Sequence, residues 1–215
     1  MSKITEGFAV STEPRSIATG EKIPNLAIFL RRTLLEFLQI LFAQRDKGSF
    51  HYDPDNTATE LQICDLHAVD LDAISVRPAI IAVRGPLGWQ DAGGLGGSAV
   101  EGRNMRSGDT TFSTLLTGSV AFSCISREGV EAEQLGHIVF NSLKFFRPVL
   151  QQYGLFTIKS LNIGAESLIE TEGANDKTTL VPVYVTALVQ DRWVLSDTAA
   201  RKLQQIVIET LFNVR

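Results

Sequence analysis

The chain has 215 residues, 44% of them hydrophobic and 20% charged, with a formal net charge of -4. A chain this long buries roughly 70% of its unfolded surface, so it needs no covalent staples, and its two cysteines exclude a disulfide scaffold. The acidic balance excludes a protein devoted to wrapping nucleic acid, which requires dense Lys and Arg.

Residues 1–22 mix Ser, Thr, Glu, Gly and Lys without periodicity and read as a flexible arm. They contain no apolar run of signal-peptide length, so secretion is not expected. Pro24 and Asn25 precede the apolar run from Leu26, where a first helix is predicted. Leu30, Leu34, Phe37, Leu38 and Leu41 share one helical face. Phe29, Ile40 and Phe42 extend the apolar surface beyond it, which fits either a central core helix or a helix that also packs on another subunit. Arg31, Arg32 and Glu36 interrupt the run, so it is not a spanning helix.

Asp46–Asn56 is a turn region. Thr59–Cys64 alternates as a half-buried strand, and Val76–Val83 is a second strand, with Pro78 implying an edge or a bulge. Glycines 85, 88, 93, 94, 96, 97, 102 and 108 then fall in one segment, which reads as a single long loop carrying Trp89, Arg103 and Arg106. Loops of that length inside a compact domain are usually functional or disordered. Leu116, Gly118, Val120, Phe122 and Cys124 show period-2 alternation. A second helix opens at Ser126–Gly129, with Val130, Leu135, Ile138, Val139, Ser142, Phe145 and Phe146 on its apolar side and Pro148 at its end. Leu155–Ile163 alternates with Phe156, Ile158 and Leu161 inward, and Glu170–Lys177 is a polar turn. In the last strand, Leu180–Gln190, residues Val181, Val183, Val185, Ala187 and Val189 share a face. Ser196 caps a C-terminal helix. The predicted fold class is α+β: a mixed, mostly antiparallel sheet with helices packed on one face and a long glycine-rich loop. The expected organisation is an arm (1–22), one domain (23–195) and a C-terminal helix (196–215).

A search for chemistry finds no catalytic, cofactor-binding or metal-binding constellation. The glycines lack the Lys-Ser/Thr of a phosphate loop, and Gly94 and Gly96 do not open a helix as a dinucleotide fingerprint must. Cys64, Asp65 and His67 lack the second ligand pair of a structural zinc site, and read as a polar strand end. His137 lies at helical spacing from Glu133 and Asn141, as a solvated or interface residue would. Both cysteines read as small buried side chains in a reducing compartment.

From Ile23 to Trp193 the pattern resembles the tail terminator and related neck proteins of tailed bacteriophages. The likeness rests on an apolar first helix, the strand VRPAIIAV, a long excursion and the strand GSVAFSCIS. Then come the helix REGVEAEQLGHIVFNSLKFF, the turn GLFTIKSLNIG and the strand VPVYVTALVQDRW. The strand-then-helix unit Gly118–Phe146 carries most of it. The arm and the helix after Trp193 depart from compact members of the family, which leaves tail terminator, head-closure protein and another neck component open. The resemblance implies a virion structural protein, assembled in the host cytoplasm, that forms a six-membered homo-oligomeric ring. The ring would cap the tail tube and bind a head-side connector, and DNA would cross its lumen without specific binding. By position, the tube- or neighbour-facing loop would be Gly85–Gly108, with Gly85, Trp89, Gly94, Gly97, Arg103 and Arg106. The subunit-facing helix would present Phe29, Phe37 and Ile40. The competing expectation, from a different class, is a small-molecule-binding domain or enzyme whose glycine-rich segment is a lid.

Overall fold

The computed structural model describes residues 15–16, 26–48, 50–55, 58–66, 78–90, 99–106, 108–152, 154–170 and 177–195. The predicted C-terminal helix, the polar turn at 171–176, His67, and all of the arm but Arg15 and Ser16 lie outside these residues. The fold is mixed α+β, with a mostly antiparallel sheet and helices packed against it.

The chain forms two compact units. The larger comprises residues 25–88 and 117–189; the smaller comprises residues 1–24, 89–116 and 190–215. In the smaller unit, β1 (Arg15–Ser16) pairs in parallel with Trp193 and Val194 of β8 (Lys177–Leu195). Part of the predicted arm is therefore a sheet strand. Also in this unit, β4 (Ala99–Arg103) runs antiparallel to the start of β5 (Thr110–Ser126), with a bulge between Val100 and Gly102.

In the larger unit, helix α1 (Leu26–Ala43) buries Leu30, Leu34, Leu38 and Phe42, one stripe at four-residue spacing. The spacing sets the stripe: Leu41 is only half-buried, and Phe42 takes the next inward position. Strand β2 (Gln62–Asp65) pairs in parallel with β3 (Ala79–Gln90). Pro78 precedes β3, and its carbonyl accepts from the Gln62 N–H at 3.0 Å. It therefore removes no ladder donor, and of the edge or bulge expected at Pro78 neither occurs in this pairing: β3 is an inner strand between β5 and β2, and its register with β2 runs unbroken from Ala79 to Ala82.

Helix α2 (Gly129–Phe145) buries Ala132, Leu135, Gly136, Val139 and Leu143. Val130 and Phe145, expected inward, are exposed, because 100° per residue carries them away from that stripe. Pro148 lies in the first turn of α3 (Arg147–Gln152), where its missing N–H costs nothing. Strands β6 (Thr157–Ile163) and β7 (Ser167–Glu170) pair antiparallel with successive stretches of β8. Phe156, expected inward, precedes β6 and is exposed. The break between β6 and β7 sits opposite Pro182. Gly164 donates its N–H to the Pro182 carbonyl at 2.7 Å, but Pro182 has no N–H to return. A side chain at Gly164 would also lie 2.7 Å from Pro182 Cγ and 2.9 Å from Tyr184 Cε2.

The alternations of β5 and β8 are realised as predicted. Val120, Phe122 and Cys124 are buried, as are Val181, Val183, Val185, Ala187 and Val189. The other side of the sheet carries a smaller cluster, Ala79, Ile81 and Ile125, packed by Cys64, Val83 and Leu180. Among the described residues no helix is long and apolar enough to cross a membrane.

Candidate assembly surface

The glycine-rich segment is not one long loop. Strand β3 continues through Gly85 and Gly88 to Gln90, and β4 occupies residues 99–103. The reason at Gly85 is non-local. A Cβ there would collide with Ser119 Oγ, whose hydroxyl donates to the Pro86 carbonyl at 3.2 Å. Gly85 thus permits a close cross-strand approach. Trp89 and Arg103 sit on strands β3 and β4, and Gly94 and Gly97 lie outside the described residues.

The ordered turn of this segment is the β4–β5 hairpin tip. Asn104 N–H donates to the Asp109 carbonyl and Gly108 N–H to the Asn104 carbonyl, each at 2.8 Å. Arg106 N–H donates to Asn104 Oδ1 at 3.0 Å, an Asx turn. Gly108 has φ of 75°, a conformation that disfavours any side chain. The tip holds Met105 with 95% of its surface exposed, and Arg106 beside it is also exposed. Sequence reading selected Arg106 but passed over Met105. The available signal was an isolated methionine between two arginines in a turn-rich stretch.

The α1 residues divide. Phe29 is buried in this chain's own core. Phe37 is half-buried against Phe146, ring centroids 5.6 Å apart and tilted by 56°. Ile40 is 38% exposed. Phe145, Phe146 and Phe156 are exposed too, with Lys144 Nζ over the Phe145 ring at 5.9 Å and the Gln151 side chain donating to the Phe156 carbonyl. The α2–α3–β6 junction therefore carries exposed aromatic surface.

A groove of about 440 Å³ opens in the larger unit at the α2 N-terminus. Phe50, Pro78 and Val130 supply its apolar lining, and Glu60, Glu128 and Glu131 its acids. The turn before β2 wraps one of them: Gly48 N–H donates to Glu60 Oε1 and Oε2 at 2.8 and 2.7 Å, and His51 N–H to Oε2 at 3.3 Å. These bonds, the Gly48 bond foremost, hold the Glu60 carboxyl below its usual range; desolvation opposes them, and the nearby His51 and Lys47 charges assist. Gly48 and Phe50 both take positive φ, 87° and 62°, to make that turn. Glu131 accepts a hydrogen bond from the Ser126 hydroxyl, and Glu128, at the N-cap, makes no side-chain capping bond.

Burial pushes the Cys124 thiol up to about 12, and burial, then the nearby Asp65 charge, pushes Cys64 up to about 11. Neither is a ready nucleophile. Asp65 is ion-paired with Arg31 at 2.8 Å, consistent with the polar strand end expected there. His51 Nδ1 lies 2.7 Å from the Arg45 carbonyl, and His137 lies 3.9 Å from Glu133. No group of three or more His, Cys, Asp or Glu positioned for a metal occurs among the described residues. Comparison with protein-family patterns and with curated proteins finds no match to this chain.

Proposed function

We propose that this chain is a virion structural protein of a tailed bacteriophage, a tail-terminator-like subunit whose homo-oligomeric ring, a hexamer, caps the tail tube and joins it to the head. The observation that supports an assembly role most is the β4–β5 hairpin. Three hydrogen bonds close its tip, and it displays a methionine at 95% exposure. A large apolar side chain held outward by an ordered turn is open to a partner. Exposed Phe145, Phe146 and Phe156 add to the apolar surface that an assembly would cover. The family assignment itself rests on the sequence resemblance across Ile23–Trp193. In this reading the work is mechanical: binding at the tube end blocks addition of further tube subunits, and DNA passes through without base contacts.

Negative-stain electron microscopy of the purified protein, with light-scattering mass, tests the reading. Rings of six copies are expected. Added to polymerising tail-tube protein, the rings should shorten the tubes and be found at their ends. A protein that stays monomeric at every concentration and leaves tube length unchanged would refute it.

A further inference from the structure

The ring reading leaves open which surfaces meet. A ring requires a heterologous contact, in which one patch of a subunit complements a different patch of the next. Two described features of this chain have opposite character. One is the hairpin tip, with Met105 and Arg106 exposed and Arg103 at the end of β4. The other is the groove of about 440 Å³ at the α2 N-terminus, where Phe50, Pro78 and Val130 lie among Glu60, Glu128 and Glu131. Val130 is 69% exposed, while Phe50 and Pro78 are half-buried, so part of the groove's apolar lining is open.

We infer that the β4–β5 hairpin of one copy docks into the α2 N-terminal groove of a second copy, Met105 against Phe50, Pro78 and Val130, and Arg106 toward Glu128 and Glu131. This contact rests on the ring reading above and specifies it. Charge complementarity selects the occupant. The groove carries three carboxylates in its lining; the tip segment carries two arginines. Glu101 and Asp109 balance the two arginines over the hairpin as a whole, and Lys47 and Arg127 neighbour the groove in sequence; the complementarity lies at the tip itself, where Arg106 is the one charge of residues 104–108, and in a groove lining of three carboxylates with no basic side chain. Glu60 and Glu131 are already held by hydrogen bonds within their own subunit, so they present fixed negative charge at little ordering cost. Glu128 makes no capping bond and is the carboxylate best placed for exchange with an incoming guanidinium. Methionine suits the centre of such a contact, because its unbranched thioether fills irregular apolar space. The charges around it set register and encounter rate.

Sedimentation velocity on the full chain tests the contact. Met105→Glu should weaken self-association by about tenfold or more, as truncating or charging a central anchor does. Arg106→Glu and Glu128→Arg should each weaken it, and the two combined should restore most of it. All three positions are exposed, and the Arg106 turn bond uses its backbone N–H, so the variants should keep the native circular dichroism spectrum. A chain with Met105→Cys, mixed with a chain with Val130→Cys under mild oxidation, should give a disulfide-linked dimer.

If the wild-type chain forms rings that none of these changes weakens, the docking is wrong and the ring reading stands. A cross-link formed only within a single chain carrying both cysteines would also overturn it, because the contact would then be internal. If the wild-type chain never assembles, both readings fail together.

Discussion

Replacing Gly136 by alanine sets two opposed effects of known size against each other. Gly136 is mid-helix in α2, where alanine gains about 1 kcal/mol of helix propensity. A Cβ at that position would lie 2.9 Å from Val181 Cγ1, well inside the roughly 3.5 Å optimum for carbon contacts. Val181 cannot swing aside: it is 2% exposed, and β-branched side chains are stiff at χ1. Overpacking of this kind costs about 1–3 kcal/mol, so Gly136→Ala should be net destabilising by about 1 kcal/mol. For a chain of this size that lowers the melting temperature by about 2–4 °C. The decisive measurement is the same substitution in a Val181→Ala background. The Cβ retained at residue 181 lies at an ordinary 3.5 Å and Val183 Cγ2 at 3.9 Å, so only the propensity gain remains and Gly136→Ala should stabilise by up to about 1 kcal/mol. Urea denaturation of the four proteins should therefore show the effect change sign, a coupling of about 2 kcal/mol. If Gly136→Ala stabilises the wild-type chain, or acts equally in both backgrounds, the close approach of α2 to β8 is not what requires glycine there.

Other outcomes follow from single contacts. Arg31→Met should cost about 1–3 kcal/mol in urea denaturation, because it strands Asp65, whose second carboxylate oxygen is already buried without a partner. Adding Asp65→Asn should recover part of that loss. Cys124 should resist thiol reagents at pH 8 until the chain unfolds, and Cys64 should react slowly, since both thiols titrate well above their ordinary value; two fast thiols in native protein would contradict the packing. Above about pH 9 the unfolded chain sheds thiol protons that the native chain keeps, so stability should fall by up to about 1.4 kcal/mol per pH unit for buried Cys124, and by less for half-buried Cys64, which solvent screens, until each native value is reached. Glu60→Gln should lower the melting temperature at pH 7. Its folded pKa is depressed, so its contribution is present above the ordinary carboxylate range and fades as pH falls through the native value; the wild-type and variant curves should converge in acid.

What the sequence could announce was whatever depends on local period. The alternation of β5 and β8 needs only the next residue but one, and Val181 to Val189 went where it pointed. The α1 stripe was legible for the same reason. What failed depended on residues far away in the chain. Gly85 reads as loop until Ser119 stands opposite it, and β7 is hidden until Pro182 explains the gap at Gly164. Val130 and Phe145 are apolar, and hydropathy alone placed them inside, although their angle on α2 turns them outward. The groove at α2 was illegible for a related reason: Glu60 and Glu128 are 68 positions apart and meet only in the fold.

These failures bear on function in one direction. A glycine-rich loop that orders on assembly pays conformational entropy at the moment of binding. Here Gly85 admits a neighbouring strand, and Gly108 closes a hairpin whose tip bonds are formed before any partner arrives. A preformed tip loses little freedom when it docks, so its contact energy goes into affinity and not into ordering. Substitution at Gly108 tests whether docking uses this turn. Gly108→Val strains the φ of 75° and loosens the tip without changing Met105, Arg106 or their charge. If the tip acts preformed, self-association should weaken by roughly fivefold or more while the melting temperature barely moves. If docking does not use this turn conformation, the variant should assemble as the wild type does.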